Sequence, residues 1–427
     1  MKNAIIVSLE SYVSEAISLA DSLEYNVINS FVQNRNNPDV NSFIGKGKLE
    51  EIKKYIDDFP DSIDLVIVNG ELKPSQWFLL EKYFGIAVFD RIHLILSIFE
   101  KHAERKEAKL QVRLAQLEYE RPFVRELIHR ARSGEHPGFM AGGEYQVDDY
   151  YEMIKKHVKK IKKELKSIRN QRELRRTHRH KGGFYLVSLA GYTNAGKSSL
   201  LNLLTKGNVK IEGKLFSTLS TTTKKIKSSS LPILLTDTVG FIRNLPSLVI
   251  DAFHSTLEEI AVADVVLLVT DISEDLNIVV EKVNVSIGEL VNIGVESSIV
   301  LVFNKCDLIS KDVLDYRIRF FKSKDFLNNN KMVFISVKNR FNIDGLYYAV
   351  YKSLPSLVCC KIRIPLDETS QSFISWIYEI THVLDISYGR FIVITFESSS
   401  NICDKIISRL TNITGAEVIL AKSTRLE

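Results

Sequence analysis

LAGYTNAGKSSLLNLL, residues 189–204, sets Gly191, Gly196, Lys197 and Ser198 in the spacing G-x-x-x-x-G-K-S. The apolar run FYLVSLA, residues 184–190, leads into it, and a leucine repeat of helical period leads out. Strand, glycine turn and helix is the context in which this spacing cradles phosphate. Glycines let backbone N–H groups wrap an anion, and the helix N-terminus adds partial positive charge. On this reading Gly191, Tyr192, Thr193, Asn194, Ala195, Gly196, Lys197, Ser198 and Ser199 line a nucleotide. Lys197 reaches the β- and γ-phosphates, and the Ser198 hydroxyl binds Mg2+.

Three further stretches follow in the order a guanine-nucleotide switch needs. STLSTTTKK, residues 217–225, supplies a threonine for Mg2+ and the γ-phosphate. TDTVGFIRNLP, residues 236–246, supplies Asp237 behind the metal and the Gly240 N–H for the γ-phosphate. VLVFNKCD, residues 300–307, places Asn304, Lys305 and Asp307 directly after an apolar strand. A carboxylate there accepts the paired N–H donors of guanine, which adenine lacks. VFISVK, residues 333–338, adds Ser336, Val337 and Lys338 to close over the base. Each short motif is weak alone. Together, each at a strand end, they define a nucleotide site on an open α/β sheet.

The flanking segments predict two more domains. Over the first ~95 residues, apolar runs such as NAIIVSL and IDLVIVNG alternate with amphipathic helices. That pattern predicts a small, mostly parallel sheet covered by helices. From Arg91 to Ala131 the pattern reads as one long helix. SGEHPGFMAGGEYQ, residues 133–146, interrupts it. A second long helix follows, with Ile154, Val158, Ile161, Leu165 and Ile168 as a heptad seam. The pair predicts an antiparallel coiled-coil arm over about 92–180. The expected fold class is therefore α/β: an N-terminal βα domain with that arm, residues 1–182; a P-loop GTPase domain with a mostly parallel, doubly wound sheet, residues 183–355; and a small α+β tail, residues 356–427, read as βαβαβ.

Charge separates the arm from the rest. Residues 155–181 carry thirteen Lys and Arg against two Glu, while the whole chain of 427 residues carries only +5. An apolar seam beneath such a basic face favours a phosphate-rich partner, and RNA over membrane, because no broad apolar face accompanies the charge. Lys155, Lys156, Lys159, Lys160, Lys162, Lys163, Lys166 and Arg169 are the expected RNA-facing residues. GKGK, residues 45–48, with HAERK, residues 102–106, is a weaker phosphate candidate beside a plain turn. Four cysteines without C-x-x-C spacing, and nine histidines without ligand spacing, predict a reducing compartment and no structural zinc. Cys359 and Cys360 read as buried filler, and His178 and His180 as part of the basic surface. No signal peptide or membrane-spanning run is expected. The expected location is the cytoplasm, with peripheral membrane association still compatible.

The stretches GYTNAGKSSLLNLLT, LFSTLSTTTKK and DTVGFIRNLP resemble the HflX family of translational GTPases. FIGKGKLEEI, NGELKPSQ and VFDRIHLILSIFEKHAERKEAKLQVRLAQLEYERP resemble that family's N-terminal and helical regions. The resemblance spans roughly residues 1–355, with the tail beyond Pro355 read as a lineage-specific addition. It implies GTP hydrolysis with Mg2+, association with the large ribosomal subunit and, in bacteria, splitting of stalled or hibernating ribosomes. A monomer binding GTP and GDP is expected. Two departures stand out. Ser220 and Thr221 replace the family's Asp-Pro, which leaves Thr222 and Thr223 both open as the Mg2+ ligand, Thr222 favoured by alignment. AGGE, residues 141–144, stands where G-P-G-E is usual. Phe241 occupies the place where many GTPases carry a water-orienting Gln. It predicts slow intrinsic hydrolysis, with the catalytic load on Lys197, Thr222, the Gly240 backbone and a large partner. Asn194 has two open readings: a K+ ligand beside the phosphates, or a residue that only braces the loop. The alternative function is a guanine-nucleotide-regulated RNA-binding or chaperone module whose hydrolysis is incidental.

Overall fold

A computed structural model describes residues 2–59, 62–132, 144–181, 184–205, 222–226, 231–238, 240–241, 259–323, 331–355, 357–366, 368–411 and 413–424. They form two compact units, one running to Ile168 and one beginning at Arg169. The loop 133–143, the segment carrying Ser220 and Thr221, and the side chains of His178 and His180 lie outside the described residues.

In the first unit, the strands are β1 (Lys2–Ser8), β2 (Tyr25–Val32), β3 (Leu65–Val68) and β4 (Ala87–Asp90). They form a parallel sheet in the order β2-β1-β3-β4. Helices α1 (Ser14–Ser22), α2 (Lys46–Asp58) and α3 (Pro74–Phe84) connect them. The central strand β3 is buried at every residue, while edge strand β2 alternates exposed and covered positions. That contrast is what helices on both faces of a parallel sheet impose.

The single helix expected from Arg91 onward is two: α4 (Arg91–His102) and α5 (Lys106–Arg132). Ala103 leaves the helix at φ −75, ψ 97, and α5 turns back beside α4. Gln116 Nε2 donates to Glu100 Oε2 at 2.9 Å. In one continuous helix those residues would stand about 24 Å apart. No glycine or proline marks the break, which is why periodicity missed it. Helix α6 (Glu144–Lys181) then runs antiparallel to α5 as expected. Leu114, Leu117 and Val124 pack on Ile154, Val158 and Ile161. Lys162 pairs with Glu118 at 2.7 Å and Lys106 with Glu164 at 3.4 Å across the seam. All eight arm cations named above are exposed.

The second unit opens with β5 (Tyr185–Ala190), α7 (Lys197–Thr205), β6 (Thr222–Lys225), β7 (Ile233–Asp237) and β8 (Val265–Asp271). It continues with α8 (Leu276–Ile293), β9 (Ser298–Asn304), α9 (Lys311–Lys322), β10 (Lys331–Phe334) and α10 (Ile343–Ser353). The strand order is β10-β9-β8-β5-β7-β6, with only β6 antiparallel to its neighbour. The chain leaves β5 toward β7 on one side and later fills in β8 on the other. The crevice at the carboxyl ends of β5 and β8 is thus the topological switch point, where such sheets bind ligands.

The tail differs from the expected βαβαβ by one strand. It is β11 (Leu357–Pro365), α11 (Glu368–Ile380), β12 (His382–Tyr388), β13 (Phe391–Ser398), α12 (Ser400–Leu410) and β14 (Glu417–Thr424). The sheet is antiparallel in the order β12-β13-β11-β14, a split βαβ arrangement. Strand β12 is hidden in the sequence because THVLD continues the apolar pattern of the helix before it. Cys360 and Cys403 are joined by a disulfide inside this domain's core, contrary to the expectation of free thiols; Cys306 and Cys359 are free. Forty-three residues separate the bonded pair, so no local spacing announced it. Among the described residues no helix is long and apolar enough to cross a membrane.

Asp90 anchors the turn into α4. Its Oδ1 accepts from the His93 N–H at 2.8 Å and its Oδ2 from the Leu72 N–H at 3.1 Å, with the Tyr119 hydroxyl as a third partner. Burial raises the carboxyl's pKa, and the backbone donors oppose the rise. Burial also pulls His93, stacked on Phe89, down to about 4. Asp90→Ala removes a helix cap and strands buried donors, so it should cost about 2 kcal/mol or more. Urea unfolding of the variant should show a lower midpoint at unchanged slope. An unchanged midpoint would exclude the anchoring role.

Candidate nucleotide site

Strand β5 delivers the chain to Gly191, whose φ is +130. A Cβ there would collide with the Val269 carbonyl oxygen on β8. Gly196, at φ +96, passes so close to Asn304 that a Cβ would run into its amide nitrogen. Both glycines are therefore dictated by close approach as well as by dihedral angle. Between them Asn194 holds a left-handed φ of +61 and stays exposed; among the described residues its side chain has no hydrogen-bond partner.

Lys197 opens α7 and lies buried beneath the loop. Its Nζ donates to the carbonyls of Gly191 at 3.0 Å and Tyr192 at 2.7 Å. Burial lowers its pKa to about 8, against an upward pull from Asp237. Next in the helix, Ser198 Oγ donates to Asp237 Oδ2 at 2.8 Å. Asp237, at the end of β7, is fully buried. Thr222 stands opposite Asp237 in the β6–β7 ladder and Thr223 opposite Thr236. Cross-strand partners share a face. Thr222 therefore shares the face of Asp237, whereas the Thr223 hydroxyl is bonded to that of Thr236 at 3.0 Å. The register thus sets Thr222 beside Asp237 and ties Thr223 to Thr236. Two hydroxyls and a carboxylate form the hard oxygen set that Mg2+ prefers, so these residues fit the ion.

Past Asp237 the chain folds onto the phosphate loop. Gly240 is so close that an added Cβ would lie 2.8 Å from Lys197 Nζ and 3.0 Å from the Thr193 nitrogen. The Phe241 N–H donates to the Gly191 carbonyl, and the Thr193 N–H donates to the Phe241 carbonyl, both at 2.9 Å. These bonds form a parallel bridge between Tyr192 and Phe241. The Phe241 side chain is buried and offers no polar atom.

On the guanine side, Asn304 ties loops together. Its Nδ2 donates to the Ala195 carbonyl at 2.9 Å, its Oδ1 accepts from the Val337 N–H at 3.2 Å, and its own carbonyl accepts from the Ile272 N–H at 3.0 Å. Ser336 Oγ donates to Asp307 Oδ1 at 2.6 Å, joining the two base-reading segments. Lys305 takes a left-handed φ of +67 and pairs with Asp271 at 2.7 Å. Lys338 stays exposed, and Ser199 sits half-buried in the first turn of α7. Two residues of this site escaped the sequence reading. Asp271, at the end of β8, holds Lys305; the signal was an acid closing an apolar strand. Thr238 donates its hydroxyl to the Leu189 carbonyl at 2.6 Å and fixes the strand end that carries Asp237. The arm cations belong to α6 and form no part of this cluster.

A phosphate loop at the switch point, an Asp and Gly closing on it, and an Asn-Lys-x-Asp element at the next strand end define a P-loop domain for guanine nucleotides. Three family profiles match in series: "GTP-binding GTPase N-terminal" over residues 10–100, "GTP-binding GTPase Middle Region" over 102–179 and "50S ribosome-binding GTPase" over 186–305. The GTPase HflX of Methanocaldococcus jannaschii is 39% identical over 401 residues, 92% of this chain and 95% of that one. The GTPase HflX of Thermococcus kodakarensis is 40% identical over 385 residues, 88% and 86% of the two chains. A crystallised GTP-binding protein from Sulfolobus solfataricus, in complex with GDP, is 29% identical over 82% of this chain and 98% of that one, with a TM-score of 0.45. The chain belongs to the HflX family of GTPases. The Methanocaldococcus match also corrects the reading of the tail as a lineage-specific addition. A match over 92% of the chain cannot stop at Pro355 in a chain of 427 residues.

Lys197 provides a pH signature. With its pKa near 8, it is charged below that value and loses its proton above it. A bound phosphate favours the charged form, so nucleotide binding should take up a proton at alkaline pH. GDP affinity should be level below pH 7 and should fall by up to about tenfold per unit above pH 8. Calorimetric enthalpies in buffers of different ionisation heat should show the uptake. A flat affinity from pH 7 to about 9.5 would contradict the lowered pKa of Lys197.

Proposed function

We propose that the protein is a GTP-binding, GTP-hydrolysing switch that associates with the large ribosomal subunit in the cytoplasm. One observation carries the reading: Lys197, Ser198, Asp237 and Gly240 converge on one loop at the sheet's switch point, with the Asp307–Ser336 pair beside it. The profile over residues 186–305, described as a 50S ribosome-binding GTPase, and the cationic arm both support the partner.

In this reading backbone N–H groups of the loop and Lys197 bind the phosphates. Ser198 and Thr222 present hydroxyls to Mg2+, and Asp237 stands behind Ser198. The ion supplies positive charge to the phosphate oxygens when bound. Asp307 accepts from guanine, and Ser336 holds its carboxylate in place. Asn304, on this geometry, shapes the pocket by tying the phosphate loop to Val337. Phe241 contributes backbone bonds and no general base. Water must then be oriented by main chain, by a monovalent cation at Asn194 or by the partner, and intrinsic turnover should be slow.

GTP turnover with and without purified large subunits tests the core reading. Subunits should raise turnover at least about tenfold, and naked ribosomal RNA should not. Equal stimulation by naked RNA would favour the RNA-module alternative instead. In the same assay K+ should raise kcat over Na+ at equal ionic strength, and Asn194→Ala should remove the difference. Equal rates in the two salts would leave Asn194 without an ion.

Neutralising Lys159, Lys160, Lys162 and Lys163 should weaken subunit binding and lower its salt slope by up to about four counterions. GDP affinity should not change. The exposed Lys162–Glu118 pair costs little to lose, so the arm should stay folded. Identical salt titrations for variant and wild type would rule out the arm as the phosphate-facing surface.

A further inference from the structure

Behind the guanine-reading loops lies a second concavity of about 1260 Å3. Helix α9 forms one wall, α10 the other, and β10 the floor. Strand β10 is the edge of its sheet, paired only with β9. Leu314, Ile318, Met332, Phe334 and Ala349 make the interior apolar. Two aromatic rings stand at the mouth with no core to enter: Phe341 is 53% exposed and Tyr348 64%. The loop presenting Phe341 is strained, because Arg340 and Asn342 on either side both hold φ of +54. Non-glycine residues take that conformation only where the surroundings impose it.

Charge surrounds this apolar trough. Lys311, Lys322, Lys331, Arg340 and Lys352 line it, against Asp307 and Asp315. Among the described residues none of the five cations forms an ion pair, although salt bridges are common elsewhere in the chain. Two of them crowd each other: Lys331 donates to the Lys352 carbonyl, and burial and the Lys352 charge lower its pKa. Cations that outnumber the carboxylates around a hydrophobic trough are costly alone and favourable opposite added carboxylates. None of the five belongs to the nucleotide cluster.

We propose that this groove docks an acidic peptide segment of a partner protein, one that alternates carboxylate and large apolar side chains. Apolar side chains would fill the trough between α9 and α10 and cover Phe341 and Tyr348. The carboxylates would meet the five cations at the rim. A nucleic acid satisfies the cations but leaves the aliphatic floor without a partner, so peptide is the better fit. One end of the groove is the Asp307–Ser336 pair, which places the docked segment against the back of the base-reading loops.

The test is an unbiased selection of random dodecapeptides displayed on phage against the full-length, GDP-loaded protein. Enriched sequences should combine Asp or Glu with Leu, Ile or Phe. A synthetic member, followed by fluorescence anisotropy, should bind the Lys311→Glu, Lys322→Glu, Lys352→Glu triple variant at least about tenfold more weakly. GDP affinity and melting temperature should be unchanged in that variant. If the triple variant melts early, Lys322→Glu alone should still weaken binding by about threefold. Tyr348→Ala, which keeps every charge, should weaken it as well. No enrichment, enrichment of basic or neutral peptides, or equal binding to wild type and variants would overturn the proposal. So would displacement of the peptide by oligouridylate, which would assign the groove to RNA.

Discussion

The side chain of Asn304 is the contact on which the nucleotide region depends. One amide group reaches the Ala195 carbonyl in the phosphate loop and the Val337 N–H in the base-reading loop. A buried amide that loses either partner strands a polar group, at a cost of about 1–3 kcal/mol. The same contact explains Gly196. Any side chain there would displace the amide nitrogen, and the two loops would part. The phosphate loop and the base-reading loop are thus mechanically joined. Lys305 extends the joint to β8 through Asp271. The Asn of the Asn-Lys-x-Asp element is thus tied into the architecture of both loops, while the Asp is held by Ser336.

Phe241 is held by its backbone and its buried ring, with no polar side-chain atom. Its backbone takes both hydrogen bonds that the Gly191–Thr193 stretch offers, and its ring is buried. In this arrangement Gly240 sits against Lys197. Burying the aromatic ring helps hold the bridge between Tyr192 and Phe241 against the loop. What it gives up is a polar atom for water, which is why the reading places that task on an ion or a partner.

Much of this site was legible in the sequence because its motifs are local. Glycines, a lysine and a serine within eight positions specify a loop whatever surrounds it. The parallel sheet followed from apolar strands at regular intervals. What stayed hidden depended on tertiary contact. The break at Ala103 has no glycine or proline to announce it. Strand β12 continues the apolar pattern of α11, and only pairing with β13 makes it a strand. The Cys360–Cys403 bond joins residues that share no motif. Thr238 lies in a recognised stretch and Asp271 closes an unremarked apolar strand, and the roles of both rest on partners 49 and 34 residues away. The separate placement of Thr222 and Thr223 needed the ladder register, since alternate residues on a strand differ only in the face they present.

Two basic surfaces divide the remaining chemistry by what lies beneath the charge. On α6 the lysines stand over a narrow seam already filled by α5, so among the described residues little apolar surface is left to offer. Phosphates, which ask for charge and little else, suit that surface. Between α9 and α10 the lysines ring an apolar trough with two exposed rings. Charge alone would satisfy only its rim, and apolar surface alone would leave its cations unpaired. An acidic, hydrophobic polypeptide carries both kinds of group together, and its aliphatic side chains match the trough floor as bases do not. The same residue type, lysine, therefore points to different partners at two places in one chain, and the neighbouring side chains make the distinction.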